Sequence, residues 1–194
     1  MNPFNPGYFN DNELKEMGFK AIGENVSIAK NCTIVGVENI TIGNNVRIDG
    51  YSTIIVPKDG WLSIGSYIHI GGYSFLSAGS GIELQDFSGL SQGVKIYSKT
   101  DDYSGKYLTN PMIPSEFTGV KEGSVVIGKH VIIGSGSVIL PSVEIGEGSS
   151  VGAQSLVMKS LEPWGIYFGL PAKKIKNRSK KLLELECEFL RKCK

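Results

Sequence analysis

The chain has 194 residues, with 20 Lys and Arg against 19 Asp and Glu and a formal net charge of +1, so no general field draws it to nucleic acid. No apolar run approaches the ~20 residues that span a bilayer. The 3 cysteines form no CxxC and give no sign of a disulfide framework or a zinc site. The opening stretch MNPFNPGYFNDNEL lacks the basic and apolar regions of a signal peptide, so a cytoplasmic location is the expectation.

In chain order, residues 1–20 read as an N-terminal cap segment. Within it DNELKEMGF, residues 11–19, predicts a short capping helix that starts at Asp11 or Asn12. An aliphatic residue then recurs at every sixth position: Ile22, Ile28, Ile34 and Ile40, then Ile42, Ile48 and Ile54. The pattern returns at Ile64, Ile70, Leu76 and Ile82, then at Leu84, Leu90 and Ile96. It is unbroken at Ile127, Ile133, Ile139, Ile145, Val151 and Val157. A period of six fits neither a helix of 3.6 nor a strand of 2. A repeat this short means that the chain winds around an axis.

Four residues after the aliphatic there is usually a small or compact side chain, such as Cys32, Ser52, Ser74 or Ser137. The pattern predicts a flat strand, a tight corner and another flat strand, with both marked positions pointing into a narrow interior. Gly and Asn between them suit corners that need unusual backbone angles. Three such sides close one coil of a triangular prism, and coils stack at about 4.8 Å. The expected fold is therefore an all-β solenoid over residues 21–177. A β-sandwich is the competing reading, but its strands come at uneven spacing and alternate over longer runs.

From Tyr97 to Val125 the chain leaves the hexad and then returns to it. A long excursion from a rigid scaffold is where functional residues concentrate. Residues 178–194 carry Leu182, Leu185 and Phe189 at helical spacing, which predicts a C-terminal helix laid on the prism or on a partner.

The hexads, the phrase IGSGSVILPSVEIGEGSSVGAQSLVMKSL and the close GLPAKKIK resemble the hexapeptide-repeat acyltransferases, which fold as a left-handed parallel β-helix. The arrangement is most similar to the galactoside, maltose and xenobiotic acetyltransferase branch and to enzymes that acetylate sugars of bacterial surface polysaccharides. The resemblance spans about residues 20–178. It implies left-handed winding, a homotrimer, and acetyl-CoA as cosubstrate in a cleft between neighbouring prisms. It implies further that backbone groups of Ser135 and Ala153 hold the pantetheine arm, that Met158 and Lys159 make the next contact, and that Lys173 and Lys176 lie near the phosphates. Ser135 and Ala153 differ by three hexads, which places them on one side of the prism a coil apart. The basic stretch 173–181 also fits a solvated, Lys-rich helix start.

Acyl transfer from a thioester needs a deprotonated acceptor and a stabilised oxyanion. The related branch takes its base from a His in the excursion loop, and here that loop has none. The chain has 2 histidines. His69 precedes the inward Ile70, should face outward in a coil that could line the cleft, and is a candidate catalytic base; an exposed surface His is the alternative. His130 reads as corner filler. In the loop, Asp101 and Asp102 are candidate bases, with Asp101 and Tyr103 as candidate sugar contacts; an ordinary turn is the alternative. An amine acceptor need only be unprotonated, so the missing His tilts the reading toward N-acetylation of a nucleotide-linked amino sugar, with O-acetylation of a galactoside or polysaccharide sugar as the alternative. Gly89-Leu90-Ser91-Gln92-Gly93 matches a nucleophile elbow, but Leu90 is in hexad register and no triad is in sight. Two histidines cannot supply the three that bind zinc in γ-type carbonic anhydrases, so no metal is expected. A serine O-acetyltransferase would carry a large helical N-terminal domain. A non-catalytic scaffold would need neither the basic stretch nor the loop.

Overall fold

A computed structural model describes residues 5–193; the first four residues of the cap segment and the last lysine fall outside. The chain is a left-handed parallel β-helix with three flat sides, built from sheets of six, eight and six strands. The first side runs from Ala21–Ile22 to Glu144–Ile145, the second from Val26–Ile28 to Lys173–Asn177, and the third from Thr33–Val35 to Leu156–Val157. Register follows the hexad: Ile22 pairs with Ile42, Ile42 with Ile64, Ile64 with Leu84, Leu84 with Ile127, and Ile127 with Ile145. Each hexad aliphatic therefore stacks on its equivalent in the next coil, and Ile48, Ile70, Leu76, Ile96, Ile127 and Ile133 are fully buried. Removing one such side chain costs about 2–5 kcal/mol.

The corners carry the left-handed backbone. Asn25 and Asn45 adopt it as their type allows, but so do Tyr51, Tyr67, Tyr73, Phe87 and His130. At the corner between first and second sides the rings offset that strain by stacking: Tyr67 on Phe87 at 4.7 Å and Phe87 on His130 at 5.2 Å. His130 is buried filler at this corner, and its Nε2 lies 2.9 Å from Glu186 Oε2.

That contact comes from α2 (Leu182–Lys192), which begins later than position 178. Residues 173–177 instead form a strand running antiparallel to Gly165–Phe168, so the basic stretch is not a helix start. Phe189 of α2 meets Tyr67 and Phe87 edge-on, and Glu186 bridges Lys129 and His130. Burial opposes ionisation of Glu186, yet the hydrogen bonds from Lys129 and His130 outweigh it and hold its carboxyl below the usual range. Arg178, within the basic stretch, turns inward: one guanidinium nitrogen donates to the carbonyls of His130, Gly148 and Ser149 at 2.8–3.1 Å. Burial lowers its pKa.

At the other end, α1 (Asp11–Glu16) starts at Asp11 as expected and ends three residues short of position 19; its cap is Asn10, whose side chain accepts from the N–H groups of Asn12 and Glu13. Leu14 plugs the base of the prism. The excursion opens and closes on a two-rung antiparallel ladder of Lys99–Thr100 with Lys121–Glu122, backed by a Lys99–Glu122 ion pair of 2.6 Å.

Candidate active site

The residues expected to hold a cofactor arm sit on the corner between second and third sides. Ser135 and Ala153 are adjacent rungs, because Gln154 N–H donates to Ser135 O at 2.8 Å. One coil below, Gln92 takes the same place, since Gly136 N–H donates to Gln92 O at 2.9 Å. Among the described residues, the N–H groups of Gln92, Ser135 and Ala153 donate to no protein acceptor. They form a column of free donors at the coil spacing, which suits amide carbonyls of an extended arm. Met158, Lys159 and Lys173 come together at the top of the third side, just past Leu156–Val157. With Val157, Leu161, Pro171 and Ala172 they line a mostly apolar cavity of about 380 Å³. Lys176 is exposed on the neighbouring strand, paired with Ile166.

His69 faces outward from the strand Ile68–Ile70, with its side chain 56% exposed. It lines a depression of about 260 Å³ with Gly71, Gly89, Ser91, Gln92 and Ile132. Its Nε2 lies 2.8 Å from Asp49 Oδ2, while Asp49 Oδ1 accepts from Arg47 Nε at 2.7 Å and Tyr8 Oη at 2.9 Å. Burial opposes the charge on Asp49, but hydrogen bonds from His69, Arg47 and Tyr8 outweigh it and keep the carboxyl ionised below the usual range. Tyr8 is pushed up, by burial first and by Asp49 second. Asp49, twenty residues before His69, is a partner that the sequence offered only through the coil length.

The loop residues behave differently. Asp102 is buried and turned on its own chain, accepting from Ser104 Oγ at 2.7 Å and Ser104 N at 3.0 Å. Those bonds lower its pKa and make it a turn residue. Asp101 is half-exposed and accepts only one long contact, from Asn110 N–H at 3.4 Å. Tyr103 is 89% exposed. Within one chain, Asp101 stands beyond the far end of the third side while Ser91 and His69 stand at its near end, with the strand Lys95–Tyr97 between them.

The prism thus carries a column of free amides, an apolar cavity rimmed by lysines and an excursion loop. The bacterial transferase hexapeptide family (six repeats) matches residues 124–159. A dTDP-4-amino-4,6-dideoxy-D-glucose acyltransferase of Escherichia coli is 47% identical over 182 residues, 94% of each chain. The N-acyltransferase AntD of Bacillus cereus, in complex with dTDP and coenzyme A, superposes with a TM-score of 0.93 at 45% identity, covering 96% of this chain and 98% of AntD. The same protein has been crystallised with dTDP-4-amino-4,6-dideoxyglucose, with 3-hydroxybutyryl-CoA, and as variants at a serine and at an aspartate ten positions further on. A lipopolysaccharide biosynthesis O-acetyl transferase, WbbJ, of Escherichia coli is 38% identical over 79 residues, 40% of each chain. The chain belongs to the hexapeptide-repeat acyltransferases. It is an acyltransferase.

Among the described residues no helix is long and apolar enough to cross a membrane. Ser91 and Gln92, which line the depression beside His69, and Asp49, which holds His69, are residues that sequence reasoning did not select. Ser91 was in view, but only as a nucleophile.

Proposed function

We propose that the chain N-acylates a dTDP-linked 4-amino-4,6-dideoxy sugar, with acetyl-CoA as donor, as a step toward a bacterial surface polysaccharide. The near full-length identity to an enzyme of that name carries the reading. One spacing supports it further. Ser91 and Asp101 are the only Ser and Asp ten residues apart in this chain, the same interval as the serine and aspartate varied in AntD.

In this reading the CoA arm descends the donor column from Ala153 through Ser135, with Met158, Lys159, Lys173 and Lys176 around its far end. The thioester carbonyl arrives at Gln92, whose free N–H receives the oxyanion. The sugar nitrogen attacks the carbonyl carbon and forms the C–N bond. Collapse of the tetrahedral intermediate breaks the C–S bond. The proton released from nitrogen passes to the departing sulfur, giving an amide and free CoA thiol. Asp101 holds the incoming amine and takes the proton that an ammonium must lose first. Ser91 orients the nitrogen, His69 binds a sugar hydroxyl with its ring fixed by Asp49, and Tyr103 closes over the sugar. Asp102 shapes the turn that presents Asp101.

Because Ser91 and Asp101 stand at opposite ends of one side, the site is complete only when Asp101 of one copy meets Ser91 of another. We therefore assign a homotrimer, and the loop supports this: Tyr103, Tyr107, Leu108, Met112 and Phe117 are all more than half exposed, which suits an intersubunit surface. Residues 21–177 form the acyltransferase unit, with 1–20 and 178–194 closing its ends. The reaction belongs in the cytoplasm, with its acyl-CoA.

The test is release of CoA thiol with purified protein. Turnover should appear with acetyl-CoA and dTDP-4-amino-4,6-dideoxyglucose and be absent with galactosides. Efficient acetylation of a simple galactoside with no activity on amino sugars would overturn the assignment. A longer donor is the second reading, favoured by the 3-hydroxybutyryl-CoA bound to AntD, and the same assay separates the two donors.

A further inference from the structure

The corner that carries the donor column is also a ladder of side chains with one rung missing. Tyr51, Tyr73, Gly93, Gly136 and Gln154 follow one another coil by coil, all with positive φ. Backbone bonds fix the order: Tyr73 N–H to Gly50 O at 3.2 Å, Gly93 N–H to Gly72 O at 2.9 Å, Gly136 N–H to Gln92 O at 2.9 Å and Gln154 N–H to Ser135 O at 2.8 Å. The rings of Tyr51 and Tyr73 stack at 5.0 Å with planes 11° apart, and both are exposed, at 61% and 66%. Above Tyr73 the next rung is Gly93. A Cβ there would meet nothing nearer than the backbone of Gly136 at 3.9 Å. One rung higher, the space over Gly136 is already filled by the folded side chain of Gln154.

The result is a slot with the free face of Tyr73 as floor, the Gln154 amide as roof and the Gly93 backbone as wall. It adjoins the depression lined by His69, Gly71, Ser91 and Gln92. Two coil spacings separate floor and roof, roughly 10 Å. Once the half-thicknesses of the two bounding groups are subtracted, one saturated six-membered ring fits.

We propose that Tyr73 is the platform for the apolar face of the acceptor's deoxy-sugar ring, seated in the rung that Gly93 leaves open beneath Gln154. The inference rests on the function proposed above and names the residues that choose the sugar. A 4,6-dideoxy ring presents C–H groups and a methyl, which suit the body of a tyrosine. The Gln154 amide supplies both donors and an acceptor to the ring hydroxyls that remain. A ring one coil above Tyr73 also brings its amine level with Ser91, two residues before Gly93. The pyrophosphate and base then lead away from the slot, since an extended nucleotide is too long to share it.

Two variants of the full-length protein test this. Tyr73→Ala should raise KM for dTDP-4-amino-4,6-dideoxyglucose about tenfold, with Kd for acetyl-CoA and for dTDP unchanged, and Tyr73→Phe should restore it. Gly93→Asn fills the rung with a residue that tolerates this backbone, as Asn25 and Asn45 do. It should abolish turnover while CoA binding and the thermal midpoint stay at wild-type values. A rise in KM for acetyl-CoA instead would place the acyl group in the slot. An equal loss of dTDP affinity would place the base there. Dissociation of the oligomer would mean that a second copy covers it. Each of these overturns the proposal, as does wild-type behaviour of both variants. If the wild type acylates no nucleotide amino sugar, the function reading fails first and takes the platform with it.

Discussion

Two corners of the same prism share a backbone and differ in what covers it. The corner between first and second sides is closed: Tyr67, Phe87 and His130 stack without a gap, and Phe189 of α2 lies edge-on against them. The corner between second and third sides stops after two rings, at Gly93, and presents free N–H groups at Gln92, Ser135 and Ala153. The hexad dictates the coil equally at both. Only the corner residue decides whether an edge is sealed by stacked rings or left open.

The comparison is sharpened most by asking each corner for the effect that the other should lack. The largest effect is expected at the open edge. Asp101→Asn should lower turnover by about 10²–10³-fold and leave the thermal midpoint unchanged, as thiol release and calorimetry on one sample will show. At the closed edge the order reverses. Arg178→Ala unpairs three carbonyls and should cost about 2–3 kcal/mol, seen as a midpoint roughly 4–10 °C lower, with KM for the sugar unchanged.

Phe189→Ala should cost less, about 1 kcal/mol, again with no change in turnover; a change in kcat would break the division between the corners. The smallest effect is on acidification. Glu186 has a depressed pKa in the folded protein, so its contribution is fully present above the unfolded value near 4.3. It is lost as pH falls through the lower folded value. Glu186→Gln should flatten that acid limb of the stability curve and leave neutral pH activity alone.

The inward positions were legible because a narrow interior leaves no choice: Ile70, Ile127 and Ile133 are aliphatic and fully buried. The Asn corners were legible from backbone preference. The aromatic corners were not, because Tyr67 and Phe87 oppose that preference locally and are stabilised by each other and by the distant rings of His130 and Phe189. The same limit hid Asp49 behind His69. Asp101 and Asp102 looked alike in sequence, yet two hydrogen bonds from Ser104 to Asp102 separate them, and nothing in a dipeptide says which carboxylate will turn back on its own chain. The basic stretch 173–181 was legible as charge but not as strand, since Lys carries no period of its own. Its one arginine, Arg178, serves the scaffold.

The excursion loop leaves and rejoins through two residue pairs and one ion pair, and around it Leu84 still pairs directly with Ile127. The prism therefore does not register what is inserted between them. Such a joint behaves as a socket: loops of other lengths and chemistries can be exchanged at Lys99 and Glu122 without retuning the coils.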